Sequence, residues 1–496
     1  MKKVIIIGSG FAGLSAASNM AKAGWDVTVI EKHDMPGGRA RKLSADGFTF
    51  DMGPSWYWMP DVFERYFNNF NKKVSDYYDL IRLDPSYRIY WPSEVNDIPA
   101  EYDKLKLMFE NIEPGSGKKL DIFMEEASYK YQVGIKKLVF KPGQSILEFA
   151  DWDFLKGIFK LDVFTSIESH IAKFFNNPKL QQLLEFPVLF LGALPKDTPA
   201  LYSLMNYADI KLGTFFPKGG MYKIVDGMYS LAKELGVSFY FNKNVNKIVV
   251  ENKIAKGVIV TNCKNYNDSE ELIIADVIIG AADYEFIESN LLDKEHQSYS
   301  ASYWQKRVMA PSCLIYYVGI NKKLKNILHH TLFFDVDFKV HGNEIYKNPM
   351  WPTAPLFYVS ATSVTDNSVA PEGCENLFFL VPVASGLEND SEELRDKYFN
   401  KIVERFEDRI GENILHSIIY KKSYAIKEFK EDYNAFKGNA YGLANTLLQT
   451  AILKPSCRSK KITNLFYTGQ LTVPGPGVPP ALISGEIVAN EVIKSF

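Results

Sequence analysis

The chain has 496 residues, 46% hydrophobic and 23% charged. It is long enough to bury a large core in about two domains and too apolar for a disordered chain. Lys plus Arg number 57 against 59 Asp plus Glu, a balance that gives no reason to propose nucleic acid as a partner.

Residues 4–7, Val-Ile-Ile-Ile, read as a strand buried on both faces. Gly8, Gly10 and Gly13 follow with G-x-G-x-x-G spacing, then good helix formers over 12–22 and Gly24 as a helix stop. Residues 27–30 predict a second buried strand, and Glu31 closes it, 18 residues after Gly13. In a strand–glycine loop–helix–strand unit the glycines have separate tasks. Gly8 permits the turn, Gly10 lets backbone approach a pyrophosphate, and Gly13 lets helix pack on strand. Phe11 and Ala12 open the helix whose N-terminus faces the phosphates. Glu31, followed by Lys32, is placed to accept hydrogen bonds from a ribose hydroxyl. This predicts a dinucleotide site, with NAD and FAD both open at this point.

Further along come Gly37-Gly38-Arg39-Ala40, a short strand at 48–50, and the turn Asp51-Met52-Gly53-Pro54-Ser55. Residues 62–215 alternate helical and extended patterns without phosphate loops. A turn and helix are predicted over 216–237, then strands at 238–241, 247–251, 256–261 and 275–280. Residues 291–450 again lack nucleotide signals. The chain closes with a strand, the turn of residues 474–480 and a helix starting near Pro480. Nucleotide-type segments at start, middle and end predict an α/β protein in which a discontinuous Rossmann-like domain is interleaved with an α+β domain. The expected divisions are 1–75, 215–290 and 451–496 for the first, and 76–214 and 291–450 for the second. A single glycine finger leans toward tightly held FAD without a separate nicotinamide domain.

Cys263, Cys313, Cys374 and Cys457 show no C-x-x-C spacing and read as reduced thiols of a cytoplasmic protein. The histidines (His33, His170, His296, His329, His330, His341, His416) show no ligand spacing, so no metal is expected. No cleavable leader is expected, since a strand begins at Val4. The apolar stretch 186–194 is too short to span a bilayer, which takes about 20 residues.

The ordered set of Gly8–Gly13 with Glu31, Gly37-Gly38-Arg39-Ala40, FDMGPS (50–55), FPKGGMYKIVDGM (216–228) and PGPGVPPALISGE (474–486) resembles the carotenoid desaturases of the bacterial phytoene desaturase type. These belong to the amine-oxidase-like FAD superfamily. The resemblance implies FAD as cofactor, with Gly38 and Arg39 at its pyrophosphate or ribityl chain and Gly53, Pro54 and Ser55 beside the isoalloxazine. It also implies Val245 at the adenine, Gly469 near the phosphates, and Val478 and Pro479 opening a helix that faces the flavin. Gln470 stands where many members carry an acid, and an amide can still hydrogen-bond a ribityl hydroxyl.

The activity implied is desaturation of an apolar polyene by hydride transfer to the flavin, with phytoene as leading substrate and oxygen or a quinone as electron acceptor. A later carotenoid desaturated at its 3,4 bond is the alternative, and a flavin amine oxidase or a non-enzymatic FAD-holding protein is more remote. Such chemistry asks for positioning and water exclusion, hence an aromatic tunnel; Trp56, Tyr57 and Trp58 are its candidates, or else core. No catalytic base is legible. Exposing a hydrocarbon of about forty carbons to water costs on the order of 20–30 kcal/mol, so peripheral docking on the cytoplasmic membrane face is expected. The stripe Trp152, Leu155, Phe159, Val163, Ile167, Ile171 and Phe174, flanked by Lys156, Lys160 and Lys173, reads equally as an interfacial helix or a core helix.

Overall fold

The computed structural model describes residues 1–145, 148, 162, 164–189, 192–264 and 269–496. Strands β1 (Lys3–Ile7), β2 (Asp26–Ile30), β3 (Ser238–Tyr240), β4 (Val277–Gly280) and β5 (Leu465–Tyr467) form a parallel sheet in the order β5-β4-β1-β2-β3. Three distant parts of the chain thus build one sheet. In β1, Val4 and Ile6 enter one core cluster and Ile5 and Ile7 another, so an unbroken β-branched run is what both faces require.

Helix α1 (Phe11–Lys22) follows the glycine loop, and α2 (Val478–Ser495) packs along it. Small residues allow the close approach. A Cβ on Gly13 would stand 2.1 Å from the Gly8 carbonyl oxygen, and one on Gly485 2.3 Å from that of Ala12. Gly24 ends α1 in the left-handed region, its N–H donating to the Ala21 carbonyl.

A seven-stranded mixed sheet lies against this unit, ordered Ile418–Tyr424, Ser312–Ile320, Glu375–Val383, Phe357–Ser360, His330–Phe333, Tyr87–Tyr90 and Val95–Ile98. One face holds Tyr316, Phe379 and Phe333 against Phe399 and Phe406 of the helix Glu392–Ile410. The alternate residues, among them Cys313, Ile315 and Tyr358, turn the other way, toward a cavity.

Several boundaries differ from the sequence reading, three of them at the site. The strand expected from 247 is Lys243–Glu251. Its first residues pair with Val260 and Asn262, and a register shift between Val245 and Lys247 together with polar Lys243, Asn244 and Asn246 conceals the pattern. The strand expected from 275 starts at Val277, and the last helix starts at Val478, two residues before Pro480.

Of the stripe read as interfacial or core, Trp152, Leu155, Phe159 and Val163, with Lys156 and Lys160, lie outside the described residues. Ile167 and Ile171 are fully buried in the core that holds Phe123 and Phe175, and Phe174 is half-buried. The described part of the stripe is core. No helix among the described residues is long and apolar enough to cross a membrane.

Candidate functional site

One cavity of about 460 Å³ begins at the carboxyl ends of β1, β2 and β4 and runs on to the inner face of the seven-stranded sheet. Ligands of open parallel sheets bind at strand carboxyl ends, so the cavity lies where the topology expects a ligand.

Gly8, Gly10, Phe11, Ala12, Glu31, Lys32, Gly38, Arg39, Gly53, Pro54, Ser55, Val245, Gly469, Gln470, Val478 and Pro479 all line this cavity. Gly13 does not. It lies beneath the loop, where only hydrogen fits beside the Gly8 carbonyl, which is the packing task its spacing predicts. Gly8 has φ +101°, whereas Gly10 has φ −70° and a Cβ there would meet nothing within 4 Å. The open space over Gly10 belongs to the cavity.

Glu31 is buried and pre-positioned. Its carboxylate accepts from the Ser9 N–H at 2.8 Å, the Ser9 hydroxyl at 2.7 Å and the His33 N–H at 3.0 Å. A carboxylate has about four acceptor positions, so capacity for one further hydroxyl remains. Lys32 donates to the Glu431 carbonyl at 2.7 Å. Val245 lies on the strand Lys243–Glu251 and presents its buried side chain next to Asn244.

Arg39 is the principal cation of the phosphate region. One of its terminal nitrogens donates to the Asn439 carbonyl at 3.2 Å, and its guanidinium lies 5.2 Å from the Tyr433 ring centre. Burial lowers its pKa, opposed by Asp283. Burial in turn pushes Asp283 up to about 6, although Arg39 and the Phe436 and Phe286 N–H groups favour its charged form. Arg39 Nε and Gln470 Nε2 are buried polar atoms without partners among the described residues.

Unmet donors beside a positive helix end and an open glycine fit a pyrophosphate and its flanking hydroxyls, so the residues present fit FAD. At the far turn, Gly477 caps α2 with φ +112°. Pro479 and Pro480 bring no N–H, and the Ala481 N–H donates to Gly477, which leaves the Val478 N–H as the first-turn donor. The helix end expected to face the flavin thus offers its dipole and one N–H.

Beyond the turn 53–55 the lining becomes apolar: Trp58, Phe186, Leu332, Phe334, Phe338 and Leu380 among others. Trp56 and Trp58 line it, but Tyr57 does not. Strand-like alternation sends Tyr57 outward, where its hydroxyl meets that of Tyr78 at 3.1 Å. His341 is the titratable imidazole of this lining. Its Nδ1 accepts from the Leu356 N–H at 2.7 Å and its Nε2–H donates to the Pro382 carbonyl at 2.9 Å. Burial lowers its pKa to about 4, so it stays neutral.

Sequence reasoning missed Ser9, Asp283, Asp432, Tyr433 and Asn439. Of these, only Asp283, at the end of β4, carried a local signal.

Histidine spacing also concealed a cluster. Glu126, Asp162 and His170 lie with ligand atoms within 4.8 Å of one another. Lys130 is part of it, 2.9 Å from Asp162 and 3.2 Å from His170 Nε2, so Asp162 is already paired with an ammonium. The four cysteines are free thiols.

Parallel sheet, glycine loop, buried acid and unmet donors define a dinucleotide-binding fold. Residues 11–493 match the family of flavin containing amine oxidoreductases. A carotenoid 3,4-desaturase of Haloarcula japonica is 39% identical over 495 residues, covering 99% of this chain and 98% of that protein. A zeta-carotene-forming phytoene desaturase of Myxococcus xanthus is 29% identical over 500 residues, covering 99% and 94%. Among solved structures, a putative protoporphyrinogen oxidase from Exiguobacterium superposes with a TM-score of 0.60 at 12% identity, over 100% of this chain and 99% of that one. The chain belongs to the flavin containing amine oxidoreductases and, within them, to the carotenoid desaturase family. It is an FAD-dependent oxidoreductase.

Proposed function

We propose that this enzyme desaturates an acyclic carotenoid, with the polyene held in the apolar half of the cavity. One observation carries the reading. Every residue of the lining that bears a formal charge (Glu31, Lys32, Arg39, Lys243, Asp283 and Asp432) belongs to the dinucleotide stretches or to the 432–434 segment at Arg39, and His341 is held neutral. An amine substrate would call for an acid or an aromatic cage with an ammonium-sized gap, and a hydrocarbon calls for neither.

Bound FAD supplies the hydride acceptor. The chain's own contribution is to clamp the phosphates with Arg39 and the α1 end, to fix the ribose through Glu31, and to hold the polyene against the turn 53–55 in a space that excludes water. Removing the two hydrogens of a C–C unit beside a polyene needs no polar grip, because the positive charge that develops spreads into the conjugated chain.

The motifs led with phytoene. The 39% relative is a 3,4-desaturase and the phytoene desaturase is 29% identical, which moves a later carotenoid to first place and keeps phytoene as the second reading. Segments 1–75, 215–290 and 451–496 are assigned to cofactor binding, and 76–214 with 291–450 to the polyene; residues 432–441 reach from the second unit to Arg39. Oxygen or a quinone reoxidises the flavin.

Docking on the cytoplasmic membrane face follows from the substrate's insolubility. Exposed Val308, Leu448, Ile452 and Leu453 adjoin one another, joined where Gln449 accepts the Val308 N–H at 2.9 Å. Expression in bacteria that accumulate phytoene or lycopene, followed by chromatography of the pigments, tests the reading. New double bonds in either strain support it, and the strain that responds identifies the substrate.

A further inference from the structure

We propose that the Tyr358 hydroxyl, backed by His330, receives the proton that carotenoid desaturation releases. The inference rests on the desaturase reading above.

Forming a C=C bond removes two hydrogens. The carbon next to the polyene loses its hydrogen as hydride, with the C–H electron pair, to the family's flavin oxidant. The neighbouring carbon loses a proton, and the electrons of that C–H bond become the new π bond. The hydride has an acceptor, and the proton needs one inside an apolar cavity. His341 is ruled out, because both ring nitrogens are already engaged with backbone.

Tyr358 lines the cavity, and Ser55 of the turn 53–55 lies against it. Its hydroxyl is 2.6 Å from His330 Nδ1. His330 is fully buried on the strand His330–Phe333 and stacks on Trp56, ring centres 4.1 Å apart at 12°. Its Nε2 has no partner among the described residues. Burial, with His329 beside it, holds the imidazole neutral.

The proton passes to the Tyr358 oxygen while the Tyr358 hydroxyl proton moves to His330 Nδ1, so one proton leaves the substrate and one arrives on the imidazole. The imidazolium then lies against the Trp56 face, where a cation is stabilised by the ring quadrupole. A delocalised polyenyl cation is a strong acid, so the acceptor needs position more than strength. The tyrosine–histidine pair is buried beside a largely apolar lining, where phenylalanine and leucine would fill the space without polar atoms to satisfy.

The test uses the FAD-loaded enzyme with phytoene and lycopene in detergent micelles, each deuterated either at the hydride-yielding carbon or at its neighbour. Tyr358→Phe keeps the ring, and His330→Gln keeps an acceptor without a basic nitrogen. Both should retain FAD content and carotenoid binding, read by tryptophan quenching. Both should lose roughly 100-fold in kcat, the scale of one general base. In the wild type the isotope effect should lie on the hydride carbon, and in the variants it should move to the proton-yielding neighbour, a change that a packing role does not produce. If one variant fails to fold, the other decides. An isotope pattern unchanged in a folded variant, or kcat within twofold of wild type, overturns the assignment alone. A wild type inert on both carotenoids overturns the desaturase reading and the assignment with it.

Discussion

Substituting Gly10→Val separates binding from folding at the phosphate loop. Gly10 has φ −70° and ψ −179°, extended backbone open to any residue, and a Cβ there meets no protein atom within 4 Å. The cost to the fold is that of a poor helix N-cap, about 1 kcal/mol. The valine methyls would instead fill the space through which a pyrophosphate approaches the α1 end. Losing two charge-assisted hydrogen bonds there costs about 3–6 kcal/mol, or roughly 10²- to 10⁴-fold in Kd for FAD. The assay is flavin absorbance per mole of monodisperse protein, with Kd from fluorescence quenching and folding from circular dichroism. Gly13→Ala is the contrast: its Cβ would stand 2.1 Å from a carbonyl oxygen, so it should lose at least about 3 kcal/mol of stability. A Gly10→Val protein that is folded and carries full flavin would refute the placement of the phosphates.

Arg39→Met should weaken FAD binding by about 1.5–3 kcal/mol with the secondary structure unchanged, measured by titrating apoprotein with FAD. Ending the chain after Thr463 removes β5 and α2, whose Leu482, Ile483, Ile487 and Val488 are buried. It should give insoluble protein in an expression trial, so flavin loss there reports the fold rather than the site. Ile167→Asp should lower Tm sharply, since Ile167 is core, whereas Leu448→Asp with Leu453→Asp, at positions 79% and 47% exposed, should leave Tm unchanged and reduce co-sedimentation with liposomes.

Asp209 accepts from the Tyr87 and Thr214 hydroxyls, and burial raises its pKa from 3.8 to about 6. The folded state therefore holds this proton more tightly than the unfolded state. Its contribution is full below pH 4 and is lost as pH rises toward 6, by about 3 kcal/mol. Thermal melts should show Asp209→Asn gaining on the wild type between pH 4 and pH 7, and a difference that stays constant would contradict this.

The phosphate loop was legible because its determinants are local. The glycines, the first strand and Glu31 lie within 31 residues, and each constraint is a backbone constraint. Trp56 and Trp58 were legible in kind, but their alternation with Tyr57 needed a known strand-like direction. Tyr433 and Asn439, which reach Arg39, and Asp432, which pairs with Arg41 at 2.6 Å, were not legible, because they come from about 400 positions away. Ile167 and Ile171 show the limit of periodicity: a helical stripe fixes which face is apolar without saying whether protein or lipid covers it.

The most direct measurement of the central claim is anaerobic mixing of FAD-loaded enzyme with a carotenoid in micelles, following flavin absorbance and product mass together. The account predicts that the flavin bleaches in one turnover and that the carotenoid loses two mass units as its conjugated spectrum moves to longer wavelength. Flavin that stays oxidised with phytoene and lycopene, yet bleaches with a primary amine, would contradict it.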